Sequence, residues 1–96
     1  MSNKQPNDVD AVLAERGARY GKFKDHARIT QQFKNILFES EIIEGKKYTD
    51  SQREALEMIF HKIGRILNGD PNYADSWVDI AGYAKLVADE LEGNVK

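Results

Sequence analysis

The chain has 96 residues, 14 Lys and Arg against 16 Asp and Glu, a net charge of −2 and no cysteine. One domain of this length can bury a core without covalent help. The lack of cysteine excludes disulfides, thiol chemistry and Cys-based zinc sites. Charges of both signs are interspersed, so nucleic acid is not an expected partner, since its surface calls for a basic excess. No apolar run nears the roughly 20 residues of a membrane span, so no membrane partner is expected either. The polar start, Met1-Ser-Asn-Lys-Gln-Pro-Asn7, lacks the apolar centre of a secretory signal. The expected location is therefore the cytoplasm.

Residues 1–7 read as a flexible tail, 8–92 as a single helical domain and 93–96 as a second tail. Asn7 or Asp8 can cap a short first helix over 8–19, with Val9, Val12 and Leu13 on its apolar stripe. Gly21 is a plausible stop after Tyr20. The segment Arg16-Gly-Ala-Arg-Tyr-Gly-Lys-Phe23 is basic and glycine-spaced. It reads as a connector between helices, or as a loop that lets a phosphate approach the backbone. A second helix is expected over 24–40, with Ile29, Phe33, Ile36 and Leu37 on one face and His26 at its edge. Phe38 falls on the opposite side. Residues 41–48, with Gly45 and two lysines, read as the least constrained loop.

Thr49 followed by Gln52 has the form of a capping box and opens a third helix over 50–68. Its stripe of Leu56, Ile59, Phe60, Ile63, Ile66 and Leu67 is the clearest periodic signal in the chain. Gly69 suits the left-handed position after a helix. Asp70 can then cap a fourth helix with Pro71 in its first turn, running to about Leu91. On that helix Trp77, Ile80, Ala81, Ala84, Val87, Ala88 and Leu91 share the face expected to meet the core. The pattern gives an all-α antiparallel helical bundle, three long helices plus a short N-terminal one.

The polar faces are where function is sought. On the third helix Glu54, Glu57, His61, Arg65 and Asn68 form one stripe, with Glu57, His61 and Arg65 four residues apart and able to meet. On the fourth, Asp75 and Asp79 repel unless a cation lies between them. That cation can be Lys62, Arg65 or a metal ion. The bland alternative is a solvated, salt-bridged surface. Val78, Gly82 and Leu86 lie beside these carboxylates, away from the core. They suggest a covered face, with Gly82 admitting another backbone. Tyr20, Phe23, Tyr73 and Tyr83 can stack a base or simply edge the core. No Ser–His–Asp arrangement is recognisable, so no catalytic residue is assigned.

Four segments carry a family resemblance: Glu15-Arg-Gly-Ala-Arg-Tyr-Gly-Lys-Phe-Lys-Asp-His26, Gln52-Arg-Glu-Ala-Leu-Glu-Met58, His61-Lys-Ile-Gly-Arg-Ile-Leu-Asn-Gly-Asp-Pro71 and Asp75-Ser-Trp-Val-Asp-Ile-Ala-Gly-Tyr-Ala84. Together they resemble small phage and prophage proteins of unassigned function. A more distant resemblance is to the all-α nucleotide pyrophosphatases of the MazG type. Those bind magnesium through a Glu-x-x-Glu pair on one helix and a Glu-x-x-Asp pair on the next. Glu54 and Glu57 match the first pair and Asp79 the final Asp. Ser76 stands where the second Glu belongs, with Asp75 one residue earlier.

The expected function is that of a phage-type accessory protein, homo-oligomeric, acting by binding a host protein or a nucleotide-like ligand without turnover. The ligand residues would be Tyr20, Lys22, His26, His61, Lys62, Arg65 and Tyr83. The alternative is a metal-dependent nucleoside triphosphate pyrophosphatase, with Glu54, Glu57, Asp75 and Asp79 holding magnesium.

Overall fold

The computed structural model describes residues 6–94. These form four helices, α1 (Pro6–Tyr20), α2 (Phe23–Ile42), α3 (Asp50–Asn68) and α4 (Ala74–Leu91), with no strand among the described residues. The fold is all-α, as expected. The lengths differ from expectation: α1 is a full 15-residue helix and begins at Pro6, inside the stretch read as a tail. The rest of that tail, residues 1–5, and residues 95–96 of the second lie outside the described residues. No described helix is long and apolar enough to cross a membrane.

The hub is α3, which packs on α2 along one side and on α4 along the other. It starts where the capping box says. Thr49 Oγ1 accepts from the Gln52 amide at 3.0 Å, and Gln52 Oε1 accepts from the Thr49 amide at 2.9 Å, so two otherwise unpaired donors are satisfied. Against α2 it stacks Phe60 on Phe33, ring centroids 5.4 Å apart. Among the described residues, Leu37 and Ala55 are the buried apolar ones.

The two helices α2 and α3 approach closely at Gly64. A Cβ there would lie 2.9 Å from Thr30 Cγ2 and 3.0 Å from the His26 ring, both buried residues. The glycine is required by space, not by backbone conformation.

Three expectations are corrected. The loop after α2 is held down: α2 runs on to Ile42, the Lys46 amide donates to the Ser40 carbonyl at 3.0 Å, and the Tyr48 and Ser40 hydroxyls are 2.8 Å apart. Gly45 supplies the positive φ of 71° for that return. Gly69 is not left-handed, at φ −133°, and its role is a close backbone contact described below. Asp70 does not cap α4. Its carboxylate accepts from the Asn72 amide at 2.9 Å, closing a local turn, and the helix begins only at Ala74.

The rotation of α4 is the largest departure. Its half-buried apolar residues are Ile80, Tyr83 and Val87, alongside buried Ser76 and Asp89. Trp77, Ala81, Ala84, Ala88 and Leu91, expected on the core face, are exposed. Two contacts hold this rotation: Lys62 Nζ to Asp79 Oδ2 at 3.0 Å, and Trp77 Nε1 donating to the Pro71 carbonyl at 2.9 Å. Gly82 meets no other chain segment, with nothing within 4 Å of where its Cβ would be. Val78 and Leu86 beside it are exposed as well.

Glycine-to-alanine changes on the two helices should therefore have opposite signs. Gly82→Ala should stabilise by up to about 1 kcal/mol, the ordinary helix gain. Gly64→Ala should destabilise by about 1–3 kcal/mol, because the new methyl meets Thr30 and His26. Urea unfolding of the two variants measures both. A stabilising Gly64→Ala would refute the packing described here.

Candidate functional site: a basic cleft between two corners

The site is built where two tight corners meet, Tyr20-Gly21-Lys22 between α1 and α2, and Asn68-Gly69-Asp70 after α3. The Asn68 side-chain amide donates to the carbonyls of Tyr20 and Lys22, both at 2.9 Å. The Asp70 amide donates to the Arg19 carbonyl at 2.8 Å. Contact is backbone to backbone, so side chains are excluded. A Cβ on Gly21 would lie 2.2 Å from the Asn68 carbonyl oxygen, and one on Gly69 would lie 2.3 Å from the Arg19 carbonyl oxygen. Gly21 also has φ +80°, a conformation other residues rarely adopt.

Aromatic and guanidinium groups brace the same junction. Arg65 lies over the Tyr20 ring at 4.3 Å, and Arg19 over the Tyr73 ring at 4.4 Å. Tyr20 and Tyr73 meet edge to face with centroids 6.1 Å apart. Tyr73 donates to Asp75 Oδ2 at 3.0 Å, a bond that favours the neutral phenol and holds it above its usual pKa.

Beside this junction lies a cleft of about 640 Å³, a volume suited to a small organic ligand. Tyr20, Lys22, His26, His61 and Arg65, five of the residues expected to bind ligand, line it together. Arg16 and Phe23 complete its polar and aromatic lining, and Phe23 is 80 % exposed. No lining residue is acidic. Lys22 and Phe23, at the start of α2, line the cleft, and the N-cap Lys22 makes no side-chain cap hydrogen bond.

At the back of the cleft the two histidines pair. His26 Nε2 and His61 Nδ1 are 3.3 Å apart, with ring centroids 5.5 Å apart and ring planes inclined by 28°. Lys34 Nζ is 3.3 Å from His61 Nε2. An ammonium group can only donate, so His61 Nε2 accepts. The His61 proton is then on Nδ1 and is donated to His26 Nε2, which leaves the His26 proton on Nδ1. That atom is buried against Gly64 with no hydrogen-bond partner.

Both rings are held below the usual imidazole pKa. Burial is the main cause for each. For His26 the positive potential of His61, Arg65 and Lys34 adds to it, against a smaller opposing effect of the Gly64 backbone. For His61, Lys34, Arg65 and Lys62 add to it, and Glu57 opposes.

The remaining expected residues go elsewhere. Lys62 is spent on Asp79. Tyr83 lines a separate groove with Glu54 and Leu86. The row Glu57–His61–Arg65 does not pair within itself: His61 and Arg65 find partners on other elements, and Glu57 takes the partner one turn earlier on its own helix. Glu57 bonds Arg53 Nε at 3.1 Å, and Arg53 also pairs with Glu41. His61 turns to His26 and Lys34, and Arg65 to Tyr20. The four carboxylates expected to hold magnesium are thus dispersed within one chain: Glu54 in a different groove, Glu57 on Arg53, Asp75 on Tyr73 and Asp79 on Lys62. Among the described residues no group of three or more His, Asp or Glu side chains could hold a metal ion.

A family model, described as Domain of unknown function (DUF6378), matches residues 7–91. The chain belongs to that family. The DUF6378 match spans all four helices, so the junction, the cleft and the exposed face of α4 all lie within it. No curated protein and no solved structure matches the chain.

Lys34, Thr30 and Gly64 are the site residues that sequence reasoning missed. The i,i+4 spacing of His26 and Thr30 puts them on one face of α2, but nothing local to either helix says that Gly64 lies opposite.

The histidine pair makes stability pH-dependent. Folded-state pKa values lie below the ordinary value of about 6.5, so the unfolded chain takes up protons first as pH falls. The contribution is complete above that value and is lost as pH drops below it, until the folded rings also protonate. Denaturant unfolding at about pH 7.5 and pH 5.5 should show the loss. His26→Asn should flatten the dependence, and an equally steep dependence in that variant would refute the assignment.

Proposed function

We propose that this domain is a phage-type accessory protein that works by binding, in the host cytoplasm, and that its helices close as an antiparallel bundle around α3. Of the two partners open from the sequence, a host protein and a nucleotide-like ligand, the cleft favours the ligand. The observation that carries this reading is the cleft lining: Arg16, Lys22 and Arg65 supply positive charge, Phe23 offers an exposed ring, and no carboxylate opposes an anion.

The chemistry matches a phosphate-bearing aromatic compound. Phosphate oxygens suit guanidinium and ammonium donors. The base suits Phe23, since stacking is tolerant of base identity. A bound phosphate would also stabilise protonated His61, countering Lys34 and Arg65.

The binding reading is preferred to hydrolysis because Glu57, Asp75 and Asp79 are each engaged with another side chain. A magnesium-dependent pyrophosphatase needs those carboxylates free and convergent.

Calorimetric titration with nucleoside mono-, di- and triphosphates tests the proposal. Arg16→Ala and Lys22→Ala should each weaken binding about tenfold, or about 1.4 kcal/mol. Phe23→Ala should weaken nucleotides more than inorganic phosphate. Absence of binding across the panel would end this reading. Pyrophosphate release with magnesium that disappears in Glu57→Gln and Asp79→Asn would replace it with the hydrolase.

A further inference from the structure

The apolar surface of α4 is laid out for a second copy of itself. Trp77, Ala81, Ala84, Ala88 and Leu91 recur at spacings of 4, 3, 4 and 3 and are all exposed, Trp77 by 54 % and Leu91 by 70 %. That alternation has a mean period of 3.5, the period of a helix–helix seam, and it continues for the length of the helix. Large residues stand at its two ends and small ones between. The order is nearly a palindrome about Ala84, with Trp77 and Leu91 each seven residues away. A two-fold axis requires a surface that matches its own reverse, and no such requirement falls on a surface meeting an unrelated partner.

We propose that two copies of this chain dock α4 against α4, antiparallel, with the two-fold axis at Ala84. Trp77 of one copy packs on Leu91 of the other at each end, and the three alanines let the backbones approach closely between them. Val78, exposed beside Trp77, widens the seam at its ends. The cation nearest the axis, Lys85, is neutralised by Asp89 at 3.0 Å on its own helix, so the symmetry brings no bare like charges together.

Trp77, Val78 and Leu91 are three of the thirteen large apolar residues exposed among the described residues, against a buried apolar core of only Leu37 and Ala55.

Sedimentation equilibrium of the full chain should give twice 10.9 kDa. Emission from Trp77, the only tryptophan, should move to the blue as the dimer forms. Ala84→Glu puts two carboxylates on the axis and should weaken the dimer at least about tenfold with helicity unchanged. Ala84→Cys guards against a variant that fails to fold. Its thiol faces its own symmetry mate and should give a covalent dimer on mild oxidation. Phe38→Asp, on the outer face of α2, should leave the mass of the dimer unchanged. The proposal is overturned by a monomer at all concentrations, by a dimer indifferent to Ala84→Glu, by failure of Ala84→Cys to cross-link, or by dissociation in Phe38→Asp.

Discussion

Everything at the cleft end of this molecule depends on two backbones touching. The corner after α1 and the corner after α3 approach so closely that neither Gly21 nor Gly69 can carry a side chain. Asn68 ties the contact by donating to two carbonyls of the opposite corner. Without this contact α1 has little to hold it, since it packs on α2 and α3 only lightly. The cleft is a by-product of the junction. Docking the end of α1 beside α3 brings Arg16 and Tyr20 of α1 and Lys22 of the corner to His61 and Arg65 of α3.

The same logic of close approach operates along the α2–α3 seam. Gly64 removes one side chain and the His26 ring fills the space. The consequence is chemical as well as steric. Burial strips water from His26, and the chain Lys34–His61–His26 sets the proton positions on both rings, with the His26 Nδ1–H buried against the Gly64 backbone. Burial, helped by the positive charges of Arg65 and Lys34, is why both rings are held below the usual imidazole pKa. The pair thus serves the packing of α2 on α3 and makes that packing sensitive to acid.

Polar rows on a helix surface gave the least reliable guide. Spacing of four puts Glu57, His61 and Arg65 within reach of one another, but an exposed i,i+4 pair is worth only about 0.2–0.5 kcal/mol. A ring contact outweighs that for Arg65 and a buried partner for His61, while Glu57 takes the i,i+4 partner on its other side, Arg53. Each residue accordingly turns to a different neighbour. The carboxylates compatible with magnesium are drawn off the same way, Asp79 by Lys62 and Asp75 by Tyr73.

By itself the sequence determined the helices, the α3 start at Thr49–Gln52, and the residue types of the cleft, including five that line it. These are local properties: capping, periodicity and composition act within a few residues of chain. It did not determine the meaning of Gly64 and Gly69, the start of α4 at Ala74, or which apolar stripe of α4 faces inward. Those depend on what lies opposite in space. A helix with apolar residues round most of its circumference has no unique inner face until Lys62, Pro71 and the α3 surface choose one. In this fold they choose Ile80, Tyr83 and Val87 and leave the seam from Trp77 to Leu91 in water.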